Sequence, residues 1–318
     1  MNPAGGESAP VPGRRDGSRP RRFVSDEAWS YLCVGPGLFI LVLLGLLPIL
    51  GAIWLSAQRR LPIFGISEFV GLRNYAALMG DARFWEACRT TLYFTAVSVT
   101  AEVILGIGLA LLLHGTDESR TGERPWIRVM ILIPWALPTV VSARMWEWLY
   151  HSEAGLFNYG LRAVGLIQEP INWLGDPFWA IHAAILMDVW KTTPFASLLF
   201  LAGLKAVPPD LYLAARVDGA GAWTSFRHIT LPLLGPIILV VLVFRTMDAF
   251  RVFDAVYVLT GGGPGNTTET LSIYAYKTLF QTLQFGYGSA LATGMFLAVL
   301  ALTAGHMVLL RPYLREVS

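Results

Sequence analysis

An all-α, polytopic membrane protein is the fold class that three features of the sequence predict. Of 318 residues, 54% are hydrophobic and only 14% are Asp, Glu, Lys or Arg, where a soluble domain would carry about 25% charged residues. The mean hydropathy is +0.53. The apolar residues gather in six separate segments, each near the roughly 20 residues that a bilayer-spanning helix needs.

The first segment, Tyr31–Ser56, sits in a stretch without charge from Ala28 to Gln58. That is too long for the apolar core of a cleaved signal peptide, so a retained anchor is expected. The others are Thr90–Leu113, Val129–Trp146, Phe178–Leu204, Pro232–Val258 and Ser289–Leu310. Residues 1–27 hold Arg14, Arg15, Arg19, Arg21 and Arg22 among Gly, Pro and Ser. Such a composition cannot bury a core and predicts a disordered tail. Residues 28–318 then form a six-helix transmembrane domain with a loop at 205–231. Cys33 and Cys88 are expected near opposite membrane faces, roughly 30 Å apart, too far for a disulfide.

Orientation follows from Lys and Arg counts. With the amino terminus inside, the inner segments hold thirteen basic residues and the outer loops seven. The prediction is a multi-pass protein of the cell (inner) membrane with both termini in the cytoplasm. The formal net charge of +2 comes with no basic run interleaved with aromatics, so no nucleic-acid partner is expected.

The 205–231 loop then faces the cytoplasm. Pro208 and Pro209 stop the fourth span, and Asp210 is expected to cap a short helix from Leu211. Gly219 and Gly221 break that helix, and a second helix from Ala222 to His228 leads to Leu231-Pro232. Ala214, Ala215, Gly219 and Ala220 make a patch small enough for close approach, as in helix-in-groove docking.

The residues Ala214, Ala215, Gly219, Ile229, Leu231 and Pro232, with Asp218 and Ala220 completing Asp-Gly-Ala, resemble the permease signature of ATP-binding-cassette (ABC) importers. The chain is similar to the carbohydrate-importing subfamily, of maltose, trehalose and glycerol-phosphate type. Asp188–Phe195 and Asp254–Gly265 resemble further stretches of that group. The resemblance implies a coupling-helix hairpin, in which Ala214, Ala215, Arg216, Asp218, Gly219, Ala220, Phe226, Ile229, Leu231 and Pro232 contact an ATPase. It also implies a second related permease subunit, two ABC ATPase subunits, an external solute-binding protein and a carbohydrate substrate, all within membrane lipid. One departure stands out: the leading Glu of the signature is Leu213 here, which removes any ion pair made through it.

The chain shows no ATPase site of its own. A P-loop needs Gly-Lys followed by Ser or Thr, and Lys191, Lys205 and Lys277 follow Trp190, Leu204 and Tyr276. The eight residues after Leu310 are too few for a nucleotide-binding domain, so ATP-Mg is expected on a separate subunit. No metal pattern and no nucleophile constellation is present, so neither cofactor nor catalytic residue is expected.

Charges nonetheless enter the spans: Glu102, Arg144, Asp188, Lys191, Arg245, Asp248, Arg251 and Asp254. Fifteen Leu, Ile, Val or Phe residues lie between Leu233 and Val258, worth about −5 to −9 kcal/mol for insertion. The four charges there would cost about 10–14 kcal/mol if central. They must therefore face protein or a wet cavity. Asp188 with Lys191, and Arg245 with Asp248, can meet on one helix face. Candidates for a polar path are Glu102, Asp188, Lys191, Arg245 and Asp248, with Trp190, Phe195, Phe250, Phe253 and Tyr257 to stack on sugar rings; interhelical ion pairing and aromatic packing are the competing roles. Alternating access driven by ATPase closure is the expected mechanism. A proton-coupled carrier using Glu102, Asp188 or Asp248 is the alternative, and a membrane-bound enzyme a third reading.

Overall fold

The computed structural model describes residues 26–118 and 125–309. Nearly all of the expected disordered tail lies outside them, as do Arg120, Arg124, Arg311 and Arg315 of the charge count. Two units are distinguished, Met1–Gly51 and Ala52–Ser318.

The first unit carries α1 (Asp26–Leu41) and the start of α2 (Leu47–Ser56), joined by a π-helical turn. Cys33–Ser56 is one apolar helix long enough to span a bilayer. The second unit opens with a ribbon that the sequence did not announce, β1 (Gln58–Leu61) paired antiparallel with β2 (Ile66–Phe69). Four-residue strands are too short to show a period-two pattern, and Gly65 (φ +65°) supplies the turn. Next come α3 (Arg73–Met79), α4 (Ala82–Glu118), α5 (Pro125–Ala136), α6 (Thr139–Leu149), α7 (Leu156–Ala163) and α8 (Pro177–Lys205). The chain continues through α9 (Pro209–Val217), α10 (Ala222–Ser225), α11 (Leu231–Phe250), α12 (Asp254–Thr260), α13 (Leu271–Tyr276) and α14 (Phe285–Leu309).

Two spans depart from the expected straight helices. The third is broken, with α5 and α6 meeting at 96°. Pro134 lies inside α5, and Pro138, in extended conformation, precedes α6. Each lacks an N–H for the helical ladder. The fifth stops at Phe250 and resumes only at Asp254, although no proline or glycine intervenes. A tertiary contact accompanies this break: Thr270 Oγ1 donates to the Val252 carbonyl at 3.1 Å.

α4 and α8 run parallel. Tyr93 bonds His182 at 2.8 Å, Thr192 Oγ1 donates to Glu102 at 2.8 Å, and Gly106 faces Phe200. Both helices therefore end on one membrane face, so the chain between them must cross back. The bent α5–α6 pair makes that crossing, which brings the number of spans to six. α11 runs antiparallel to α8. A Cβ on Gly203 would lie 2.8 Å from Leu234 Cδ2 and 2.9 Å from Ile237 Cγ1, the close approach that small residues permit between membrane helices.

The β-ribbon lies on the face opposite the α8–α9 loop, at the start of α4. There, Arg83 donates through Nε and Nη2 to Glu269 at 2.7 and 2.9 Å, and Lys277 pairs with the same carboxylate at 2.8 Å. Asp81 accepts from Tyr274 at 2.5 Å and Tyr287 at 2.6 Å. Burial works against the Glu269 charge, but Arg83 and Lys277 outweigh it and hold the carboxyl below its ordinary range. Burial and the Asp81 hydrogen bond together push the Tyr274 phenol up to about 12.

Candidate functional site

α4, α8 and α11 each send ionisable side chains to one point. Arg245 is 5% exposed and Glu102 is fully buried. The guanidinium donates to Glu102 through Nε and through Nη2 (2.7 Å for the latter), to Asp188 through Nη2 (3.2 Å), and to Asp248 through Nη1 (2.5 Å). Thr192 Oγ1 also donates to Glu102. A buried guanidinium in membrane is tolerable only when its donors are satisfied by carboxylates in this way. Arg245 and Asp248 meet as the three-residue spacing predicts, and the structure adds Glu102 and Asp188 from neighbouring helices.

Lys191 takes a different partner. Its expected pairing with Asp188 is absent, and Nζ donates instead to the Trp135 carbonyl at 3.3 Å. Trp135 lies in the last turn of α5, where carbonyls lose their helical donors. Lys191 thus caps the break in the third span.

A cavity of about 330 Å³ opens beside this cluster and is lined by Asp188, Lys191, Arg245 and Asp248, among others. Glu102 stands behind its wall. Of the five aromatic candidates, Phe195 alone lines it. Trp190 packs against Trp146 with ring centroids 5.4 Å apart, because two residues along a helix turn it about 200° away from Asp188. Phe250 is buried in the cluster containing Leu271 and Leu291. Tyr257 lies beyond the break after Phe250 and stacks on Phe253 at 4.9 Å. The aromatics that do line the cavity are Trp135, Phe195 and Phe244. Trp135 and Phe195 stack at 5.1 Å and 13°. The Pro134–Pro138 spacing was the available signal for Trp135; no pattern marked Phe244.

The second candidate region is the turn after α9. Ala214 and Ala215 occupy the last turns of the helix, and Gly219 stands at φ +78°. Gly219 N–H donates to Arg216 O at 3.1 Å and Ala220 N–H to Ala215 O at 2.8 Å. Those two bonds are the pair of a Schellman cap. Asp210 lies in the first turn of α9 without making the expected capping bond, since the helix starts two residues earlier, at Pro209. Leu213 and Val217, four apart on one face, are 56% and 88% exposed. Arg216 and Asp218 are exposed beside them.

The expected second helix, Ala222–His228, is no separate element. Residues Ala222–Phe250 form one helix that includes α10 and α11. A π-turn at Phe226–Thr230 closes with Leu231 N–H on the Phe226 carbonyl, and it precedes Pro232, which has no N–H to offer. Phe226 and Ile229 are partly buried on this stretch, while Leu231 and Pro232 are exposed. Tyr212 OH and Thr230 Oγ1, 2.9 Å apart, staple α9 to it.

Comparison with known proteins places this architecture. The family model described as binding-protein-dependent transport system inner membrane component matches residues 102–312. The trehalose/maltose transport system permease protein MalF of Thermococcus litoralis is 45% identical over 278 residues, 87% of this chain and 92% of that protein. The sulfoquinovosyl glycerol transport system permease protein SmoG of Agrobacterium fabrum is 38% identical over 294 residues, 91% and 92%. A solved bacterial ABC transporter involved in import of the acidic polysaccharide alginate shares the fold, with TM-score 0.75, 24% identity, and coverage of 89% of this chain and 95% of that one. With its six spans and its glycine-capped loop, the chain belongs to the family of binding-protein-dependent transport system inner membrane components.

Proposed function

We propose that this chain is one of two permease subunits of an ATP-driven carbohydrate importer, moving a sugar by alternating access. The observation that carries the mechanism is the continuous Ala222–Phe250 helix. It joins the Schellman turn at one membrane face to Arg245 and Asp248 near mid-span, about 20 Å along from Pro232. Movement of the turn is thereby passed to the charge cluster along one unbroken helix.

The turn takes the cytoplasmic side in this reading, and one crossing by the first span puts both termini there. An ABC ATPase grips Leu213, Ala214 and Val217 by apolar contact, which suits a signature lacking its Glu. Arg216 and Asp218 supply polar contacts at the rim, and Phe226, Ile229, Leu231 and Pro232 set the angle of the rod. ATP-Mg is held by the two ATPase subunits, and this chain takes no part in hydrolysis. A second permease subunit completes the chamber, and solute arrives from an external binding protein. Asp188, Lys191, Arg245 and Asp248 offer hydrogen bonds to sugar hydroxyls, with Trp135, Phe195 and Phe244 as apolar faces. Phe250, Trp190 and Tyr257 hold the bundle together. The trehalose/maltose relative suggests a disaccharide.

The test is uptake of labelled trehalose and maltose by the reconstituted complex. Gly219→Trp should insert normally yet fail to co-purify with the ATPase and fail to import. Normal import by that variant would sink the coupling role. Uptake that persists without ATP and collapses with the proton gradient would replace this reading by the proton-coupled carrier.

A further inference from the structure

On the face opposite the α9 turn, Arg59, Arg60 and Arg73 line one cavity of about 510 Å³. All three are exposed. Among the described residues, none makes a side-chain hydrogen bond or ion pair. Glu68 stands opposite Arg59 in the ribbon register but lies outside ion-pair distance. Three unpaired like charges on residues that line one concavity give its surroundings a positive potential.

The scaffold that holds them is firmly built. Asn74 Nδ2 donates to the carbonyls of Ser56 and Gln58 at 2.7 and 2.9 Å, and Ser56 Oγ bonds Tyr75 OH at 2.6 Å. Gly286 of α14 approaches the Gln58 carbonyl so closely that any side chain there would collide. The ribbon tip presents Ile63 and Phe64 at 67% and 73% exposure. Exposed apolar side chains beside arginines are a composition enriched at protein interfaces, and cations there select an acidic partner. Asn74, Thr282 and Gln284 also line the hollow, adding neutral hydrogen-bonding groups beside the arginines.

We propose that the 58–73 face is the docking surface for an acidic patch on the solute-binding protein. This rests on the importer reading and on the binding-protein dependence in the family's description. The test uses the assembled importer in phosphatidylcholine nanodiscs, with ATPase rate followed as solute-loaded binding protein is titrated. Arg59→Glu with Arg60→Glu, and separately Arg73→Glu, should raise the half-maximal concentration, the double variant by about tenfold or more. Added salt should raise it for the wild type and much less for the double variant. An unchanged half-maximal concentration in both variants, with stimulation intact, overturns the surface and leaves the importer standing. A shift seen only when the discs contain phosphatidylglycerol also overturns it, assigning the arginines to lipid. A wild-type ATPase indifferent to binding protein at every concentration overturns the importer reading and the surface with it.

Discussion

Replacing Arg245 by alanine removes four hydrogen bonds at once and leaves three carboxylates facing one another. Glu102 has no solvent exposure and would keep only the Thr192 hydroxyl as donor. Removing one partner of a buried ion pair costs about 3–5 kcal/mol because the other charge stays behind uncompensated. With Asp188 and Asp248 bonded to the same guanidinium, the upper end of that range is expected, a change of more than a thousandfold in the folding equilibrium. The pair itself contributes far less than its breakage costs. Glu102→Leu combined with Arg245→Met removes one carboxylate with the guanidinium but leaves Asp188 and Asp248 without it, so its loss should be smaller than that of Arg245→Ala without vanishing. Arg245→Lys keeps the charge but loses the planar fork and should fall between the two. Equilibrium unfolding of the purified chain in mixed detergent micelles, run on Glu102→Leu, Arg245→Met and the double variant, gives the coupling energy directly. An Arg245→Ala loss below about 1 kcal/mol, or a double variant as unstable as the two single losses summed, would refute the view that mutual neutralisation holds α4, α8 and α11 together.

Gly219→Val should cost about 1–2 kcal/mol through left-handed strain, whereas Gly219→Asn should cost less; circular dichroism melts and ATPase co-purification read both, and equal losses for the two would argue against a conformational role. Gly203→Leu should destabilise by about 1–3 kcal/mol through overpacking against Leu234 and Ile237, measured by thermal melting; a neutral result would mean that α8 and α11 do not cross there. Acid should loosen the ribbon face. Glu269 has its carboxyl held below the ordinary 4.5, so the folded state binds fewer protons there than the unfolded state. Its stabilisation is complete above the unfolded value and is lost as pH falls through the folded one. Hydrogen exchange of α13 between pH 7 and 3 should show that loss in the wild type and not in Glu269→Gln; identical profiles would count against the network.

The sequence by itself determined the class and the number of spans, because hydropathy over about 20 residues is a local quantity. It also located the turn after α9, since a glycine at positive φ after a helix leaves a local trace at Gly219. Which charges meet was only half legible: spacing along one helix puts Asp248 beside Arg245, but nothing local says that Glu102 lies across from them or that Lys191 turns to Trp135. The break after Phe250 carries no proline or glycine, and the ribbon at 58–69 is too short for a periodic signal. The tertiary structure decided those points because ion-pair partners, helix breaks and cavity walls depend on residues as far as 186 positions apart, a separation over which sequence patterns carry no register.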